Sequence, residues 1–168
     1  MRPATHVAAV LCAIALGATA CDDTVTSPAD DLRLTATVQP AEFRAGTPVT
    51  VTLTVTNAGS RTRALYAGHC EEPFTLTAAD GRLVPPAARY CNLLIQAPLE
   101  LAPGQQRALA FTWRGDVGTD VPGGANVVVP PGEYRLRGFV RALGRLRADD
   151  HYDVVSVHAH PVTVRVLP

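Results

Sequence analysis

Val49-Thr-Val-Thr-Leu-Thr-Val-Thr-Asn57 is the stretch of sequence that decides the fold. Its apolar residues alternate strictly with threonines, so an extended backbone places all the apolar side chains on one face. β-Branched residues on both faces favour a strand over a helix. The Asn57-Ala58-Gly59-Ser60 segment that follows is typical of a turn. The stretch therefore predicts a half-buried β-strand that ends near Asn57.

The same two-residue period recurs along most of the chain. It is clear in residues 32–38, 109–113, 134–140 and 162–166, whereas no segment carries a capped amphipathic helical pattern. We therefore predict an all-β fold, an immunoglobulin-like antiparallel β-sandwich of seven to nine strands, spanning residues 32–168. The side chains expected in its interior are Leu53, Val55, Phe111, Trp113, Tyr134 and Leu136.

A glycine- and proline-rich segment, residues 115–131, interrupts this pattern. It reads as a long mobile loop with an apolar tip at Val127, Val128 and Val129. Three exposed valines on a loop would provide a contact surface for a partner, so these residues are the candidate binding site. Residues 69–91, bounded by cysteines, form a second candidate contact segment.

The N-terminus has the features of an export signal. Arg2 precedes an apolar run, residues 7–16, which is too short to cross a bilayer and suits a signal peptide. Ala18-Thr19-Ala20-Cys21 then matches the lipobox of bacterial lipoproteins. We predict a signal peptide over residues 1–20, an acylated Cys21 in the lipid bilayer, and a flexible tether over residues 21–31. The alternative is a plain secretory signal whose cleavage site precedes a cysteine. The predicted location is the bacterial cell envelope outside the cytoplasm, with the choice of membrane left open.

Two cysteines remain once Cys12 is removed with the leader and Cys21 carries lipid. Cys70 and Cys91 would then form a disulfide, because an exported domain resides in an oxidising compartment. Closing such a loop stabilises the fold by about 3 kcal/mol on the chain-entropy estimate. The alternative is a metal site built from both thiols, but 20 residues lie between them and no CxxC occurs.

Composition and motifs limit the function further. The mature chain would carry 14 arginines, no lysine and 15 acidic residues, a net charge near −1, which argues against nucleic acid as a partner. No GxSxG, HExxH or Walker pattern occurs, so we expect no enzyme activity and no cofactor. His151, His158 and His160 offer an alternative metal-binding region. Pro161 is expected to break the strand register and let the last two histidines turn outward.

Several of these segments together resemble a known family. The stretch at residues 49–57 is followed by an Asp80-Gly81 hairpin, Leu101-Ala-Pro-Gly104, a strand ending Phe111-Thr-Trp113, and Pro131-Gly-Glu-Tyr-Arg-Leu-Arg-Gly138. This order is similar to the intracellular proteinase inhibitor domain of the BsuPI type. The resemblance covers roughly residues 32–143 and implies an immunoglobulin-like sandwich. The Pro-Gly-x-Tyr segment also resembles a tyrosine corner, in which the phenol of Tyr134 bonds a nearby backbone group.

Together these features predict a non-catalytic, membrane-anchored lipoprotein whose domain binds another envelope protein. The resemblance implies one alternative, an envelope proteinase inhibitor that acts through an exposed loop. The histidine region supplies the other, a metal-binding lipoprotein.

Overall fold

Alternating apolar residues produce strands throughout the computed structural model, which describes residues 28–66, 73–87, 98–118, 125–146 and 152–168. Within these ranges the chain forms one short helix and thirteen strands. In chain order they are α1 (Pro28–Asp31), β1 (Leu32–Gln39), β2 (Glu42–Arg44), β3 (Val49–Asn57), β4 (Arg63–Tyr66), β5 (Phe74–Ala78), β6 (Leu83–Val84), β7 (Leu99–Leu101), β8 (Gln106–Trp113), β9 (Asp116–Val117), β10 (Val127–Val128), β11 (Gly132–Leu146), β12 (Tyr152–His158) and β13 (Val162–Leu167).

The first layer is a three-stranded antiparallel sheet with the order β1-β3-β8. Strand β3, the alternating stretch that predicts the fold, lies at its centre and pairs along its whole length with both neighbours. Its valines and leucine face the interior, and its threonines form the outer face. The predicted strand and its end at Asn57 are confirmed.

The second layer is organised around β11, which is long enough to serve two groups of partners. Residues 132–138 of β11 pair with β13 and β5, and residues 139–146 pair with β12 and β4. The partners change at Gly138, where a Cβ atom would overlap the Leu53 side chain of the opposite layer. Glycine at this position therefore allows the two layers to approach each other.

The hydrophobic core lies between these layers. Five of the six residues predicted for the interior are buried, and Phe111 packs against them while remaining partly exposed. Trp113 is 1% exposed and makes edge-to-face contacts with Phe43 and Phe74, each with ring centroids 5.4 Å apart. The predicted all-β sandwich is confirmed.

Two features of the sheets differ from the prediction of seven to nine antiparallel strands. The described residues contain more strands because five of them, β2, β6, β7, β9 and β10, are only two or three residues long. Strands this short show no measurable alternation in a sequence. In addition, β2 pairs with β13 in parallel, while the other strand pairs among the described residues are antiparallel.

The folded domain begins earlier than the predicted boundary at residue 32. Asp31 lies in the segment predicted as tether, yet its carbonyl accepts the Ala58 N–H at 2.7 Å and its carboxylate pairs with the Arg63 guanidinium. A Cβ atom on Gly59 would overlap the Asp31 side chain, so this glycine leaves room for the contact. Residues 28–31 are therefore part of the domain.

Candidate binding ribbon

Strand β9 is attached to the core through the tryptophan that ends β8. The Trp113 indole N–H donates to the Asp116 carbonyl at 3.0 Å. Gly115, between them, has a φ of 79°, a left-handed conformation that glycine adopts without steric cost. This turn brings the Asp116 carbonyl within hydrogen-bond distance of the Trp113 indole.

Strand β10 is attached at the same point. The Val129 N–H donates to the Gly115 carbonyl at 2.7 Å, and the Val129 side chain is 1% exposed. Val127 lies opposite Val117, and Val128 lies opposite Asp116. We call the two paired strands, β9 and β10, the valine ribbon.

The prediction of three exposed valines is wrong for one of them, while residues 119–124 of the predicted loop lie outside the described residues. Val127 and Val128 are exposed, at 45% and 50%, but Val129 belongs to the core. Its burial follows from the hydrogen bond to Gly115, which holds the chain against the sandwich. The candidate contact surface is therefore two valines rather than three.

Both ends of the valine ribbon are pinned by further hydrogen bonds. At the end of β9, the Gly118 N–H donates to the Pro85 carbonyl at 2.9 Å. After β10, the Tyr134 hydroxyl donates to the Pro130 carbonyl at 2.8 Å, which confirms the predicted tyrosine corner. Val127 and Val128 are thus presented by a backbone that is fixed on each side.

Apolar contact is the chemistry that this arrangement offers. Among the described residues, the large hydrophobic side chains that are exposed are Tyr66, Leu83, Val127, Val128 and Val154. Val127 and Val128 are consecutive on β10, so the extended backbone directs their side chains to opposite faces of the valine ribbon, and each face carries one exposed valine.

The lipid and disulfide sites predicted from the sequence, Cys21, Cys70 and Cys91, lie outside the described residues. The described part of the second contact segment, residues 73–87, contains strands β5 and β6. Phe74, Leu76 and Val84 from these strands are buried. This part of the segment therefore serves mainly the core.

The predicted outward turn of the last two histidines is confirmed. His158 and His160 are exposed, whereas Ala159 between them is buried and donates its N–H to the Gly138 carbonyl at 2.9 Å. Buried positions are odd-numbered before Pro161 and even-numbered in β13, so the register changes there. Partial burial and the nearby Arg137 guanidinium lower the pKa of His158.

The metal-binding alternative would need these histidines to join other ligands. Within the described ranges, histidines, cysteines and carboxylates do not form a cluster of three or more that could hold a metal ion. His151, the third residue of that hypothesis, lies outside the described residues.

Sequence reasoning missed the role of Asn57, which is 0% exposed and the one buried polar side chain in the described part of the chain. Its amide donates to the carbonyls of Leu101 (2.9 Å) and Arg61 (2.8 Å), and its Oδ1 accepts the Gly59 N–H at 3.0 Å. An asparagine at the end of a strand predicts a turn, but not a partner 44 residues away.

A membrane-crossing helix, long and apolar enough to span a bilayer, is not found among the residues that the structure describes.

Comparisons with known proteins give distant structural likenesses. No family model and no curated protein matches the chain. The Northeast Structural Genomics Consortium target SoR45 is 10% identical with a TM-score of 0.43, over 82% of this chain and 88% of that one. The ApaA protein from Bordetella pertussis is 14% identical with a TM-score of 0.41, over 81% and 94%.

A β-glucosidase from Listeria innocua, in complex with gluconolactone, is 17% identical with a TM-score of 0.35. The similar region covers 84% of this chain but only 17% of the glucosidase. All three scores are below 0.5, so these likenesses assign neither a family nor an activity to the chain.

Proposed function

We propose that the protein is a non-catalytic, membrane-anchored lipoprotein of the bacterial cell envelope that binds another envelope protein through the valine ribbon. The observation that carries this proposal is that exposed apolar side chains are held there by a hydrogen-bonded backbone. Val127 and Val128 are about half exposed, and hydrogen bonds to Gly115 and Pro85 hold the ribbon backbone.

A fixed apolar contact site favours binding in two ways. Apolar area removed from water contributes about 25 cal/mol per Å². A ribbon that is already ordered loses less conformational entropy on association than a free loop does. The two valines point to opposite faces of the ribbon and each contributes a small contact, so the partner would grip the ribbon from both faces and also touch the surfaces beside it.

Acylation of Cys21 would keep this site near a membrane. Six residues separate Cys21 from Pro28, the first residue of α1. An extended chain spans at most about 25 Å over that separation. The domain would therefore act close to the bilayer that holds the lipid.

Membrane fractionation tests the anchor. Replacing Cys21 by serine removes the thiol that would be acylated, so the Cys21→Ser variant is expected in the soluble fraction while the parent chain stays with membranes. The same membrane association for both proteins would contradict the lipid anchor.

Replacing the exposed valines tests the binding site. The double variant Val127→Ser/Val128→Ser should lose capture of its envelope partner and keep nearly the parent melting temperature, because both side chains are exposed. Val154→Ser is the matched control, since Val154 is a 55% exposed valine on β12. Equal capture by the double variant and the parent would refute the site.

Two further measurements make the result specific. Val129→Ser should lower the melting temperature, because that side chain is buried. Assaying the captured partner for proteolysis, with and without the domain, decides between a binding module and a proteinase inhibitor.

A further inference from the structure

The two edges of the three-stranded sheet are covered to different extents. Strand β1 forms one edge, and its four inward-facing side chains are buried. Strand β8 forms the other edge, where Leu109 and Phe111 are only partly buried and Arg107, on the same face, is exposed. The second layer therefore does not extend fully beneath β8.

The backbone of β8 also offers hydrogen-bonding groups on its outer side. The Asn57 N–H donates to Gln105, and alternate residues of β8 from Arg107 onward therefore bond to β3. The remaining residues direct their N–H and C=O groups away from the sheet; these are Gln106, Ala108, Ala110 and Thr112. No strand in the described part of the chain lies beside them.

The sequence of β8 carries little of the usual protection of an edge strand. Natural edges are shielded by charged side chains, proline, bulges or short length. Strand β8 has eight residues and no proline, and its single charge, Arg107, lies near one end, which leaves residues 108–113 uncharged. This part of the open edge is suited to pairing with another strand.

We infer that β8 pairs antiparallel with β8 of a second copy of this chain, about a two-fold axis at Leu109. In this register Ala108 exchanges backbone hydrogen bonds with Ala110 of the other copy, and Gln106 does so with Thr112. The two Leu109 side chains meet at the axis and cover each other. The mature chain would have a net charge near −1, so two copies do not repel strongly.

The positions of Arg107 and the aromatic residues favour the register with its axis at Leu109 over the register with its axis at Ala110. With the axis at Leu109, each Arg107 lies opposite Phe111 of the other copy, whose partly exposed ring can accept a cation–π contact. With the axis at Ala110, Arg107 would lie opposite Trp113, whose ring is buried against Phe43 and Phe74. The axis at Leu109 therefore pairs groups that can reach each other.

Cysteine crosslinking in membranes of cells that produce the full chain tests this pairing. Cα atoms in a directly opposed, non-hydrogen-bonded pair lie about 4.5 Å apart, within the range of a disulfide. Leu109→Cys is therefore expected to give a disulfide-linked dimer on a non-reducing gel, several-fold above the parent chain with its native cysteines. Arg107→Cys, two residues from the axis, should remain near the parent level, and so should Ala110→Cys, which reports the alternative register.

A second substitution tests whether the outward N–H and C=O groups of β8 hold the dimer together. Ala110→Pro removes one outward N–H, which an edge strand tolerates on its solvent side, and should abolish the Leu109→Cys dimer. Ala110→Ser keeps the N–H and should preserve the dimer. The buried Trp113 provides a fluorescence signal that reports whether each variant is folded.

Three results would overturn the inference. They are a Leu109→Cys dimer no stronger than in the parent, equal crosslinking of Arg107→Cys or Ala110→Cys, and a dimer that persists in the folded Ala110→Pro variant. The pairing does not depend on the valine ribbon, so the Val127→Ser/Val128→Ser variant should crosslink through Leu109→Cys like the parent.

Discussion

Replacing Asn57 by alanine should destabilise the domain more than its single side chain suggests, because the amide joins three backbone segments. It bonds the end of β3 to the following turn through Arg61 and Gly59, and to the end of β7 through Leu101. The Asn57 backbone carbonyl also accepts the Gly104 N–H at 2.8 Å. Asn57→Ala leaves this last bond in place and removes the three that the side chain makes.

The decrease in the free energy of unfolding depends on which hydrogen-bond partners of the Asn57 amide can bind water instead. A buried polar group left without a hydrogen bond costs about 1–3 kcal/mol. The bond to Leu101 is buried, so its carbonyl loses its donor outright, whereas the Arg61 and Gly59 groups are partly exposed and can bind water. Asn57→Ala is therefore expected to lower the free energy of unfolding by about 2–4 kcal/mol.

Urea denaturation followed by Trp113 fluorescence measures this change. Thr54→Ala is the matched control on the same strand, because Thr54 faces the outer side and is partly exposed. The control should lose less than about 1 kcal/mol. A loss for Asn57→Ala no larger than for Thr54→Ala would refute the idea that the amide holds the three segments together.

Three further substitutions test the core and the tyrosine corner. Trp113→Ala should cost about 3–5 kcal/mol in thermal or urea unfolding, since it removes a buried ring, and a red-shifted Trp113 emission in the native parent would contradict that burial. Gly138→Ala should cost about 1–3 kcal/mol through overlap with Leu53, and combining it with Leu53→Val should cost less than the sum of the single changes; simple additivity would contradict the overlap. Tyr134→Phe should lose about 0.5–1.5 kcal/mol with the bond to Pro130. Burial raises the pKa of Tyr134 above its ordinary value of 10.0, so its contribution is complete below pH 10 and declines as the pH rises further. Stability of the parent should therefore fall more steeply above pH 10 than stability of the Phe variant, and identical slopes would contradict this.

The strands that the sequence predicts are those long enough to show alternation. Strands β3 and β8 contain eight or nine residues, so their inner and outer faces can be read directly. The same holds for the first half of β11, where Tyr134 and Leu136 face the core. Pro161 likewise predicts a break in register, because proline cannot continue a paired central strand.

The features that the sequence does not predict depend on contacts between distant segments. Val129 follows two exposed valines and has the same chemistry, so only its bond to Gly115 distinguishes it. Asp31 resembles the acidic residues before it, yet Arg63, 32 residues later, ties it to the domain. Neither the Val129–Gly115 bond nor the Asp31–Arg63 pair is visible as a pattern in the local sequence, because both depend on how distant segments pack in the folded domain.

Acylation of Cys21 and the Cys70–Cys91 disulfide remain predictions from the sequence. Non-reducing mass spectrometry of the exported protein should show the peptides of Cys70 and Cys91 linked. Two free thiols would contradict the pairing.

Photo-crosslinking in living cells tests the central claim, binding through the valine ribbon, most directly. A photoreactive residue at position 128 in the full-length chain should give a discrete adduct with a second envelope protein in the membrane fraction. The same residue at position 154 should not give that adduct, since Val154 lies on another strand with similar exposure. Absence of an adduct at position 128, or the same adduct from both positions, would contradict the account.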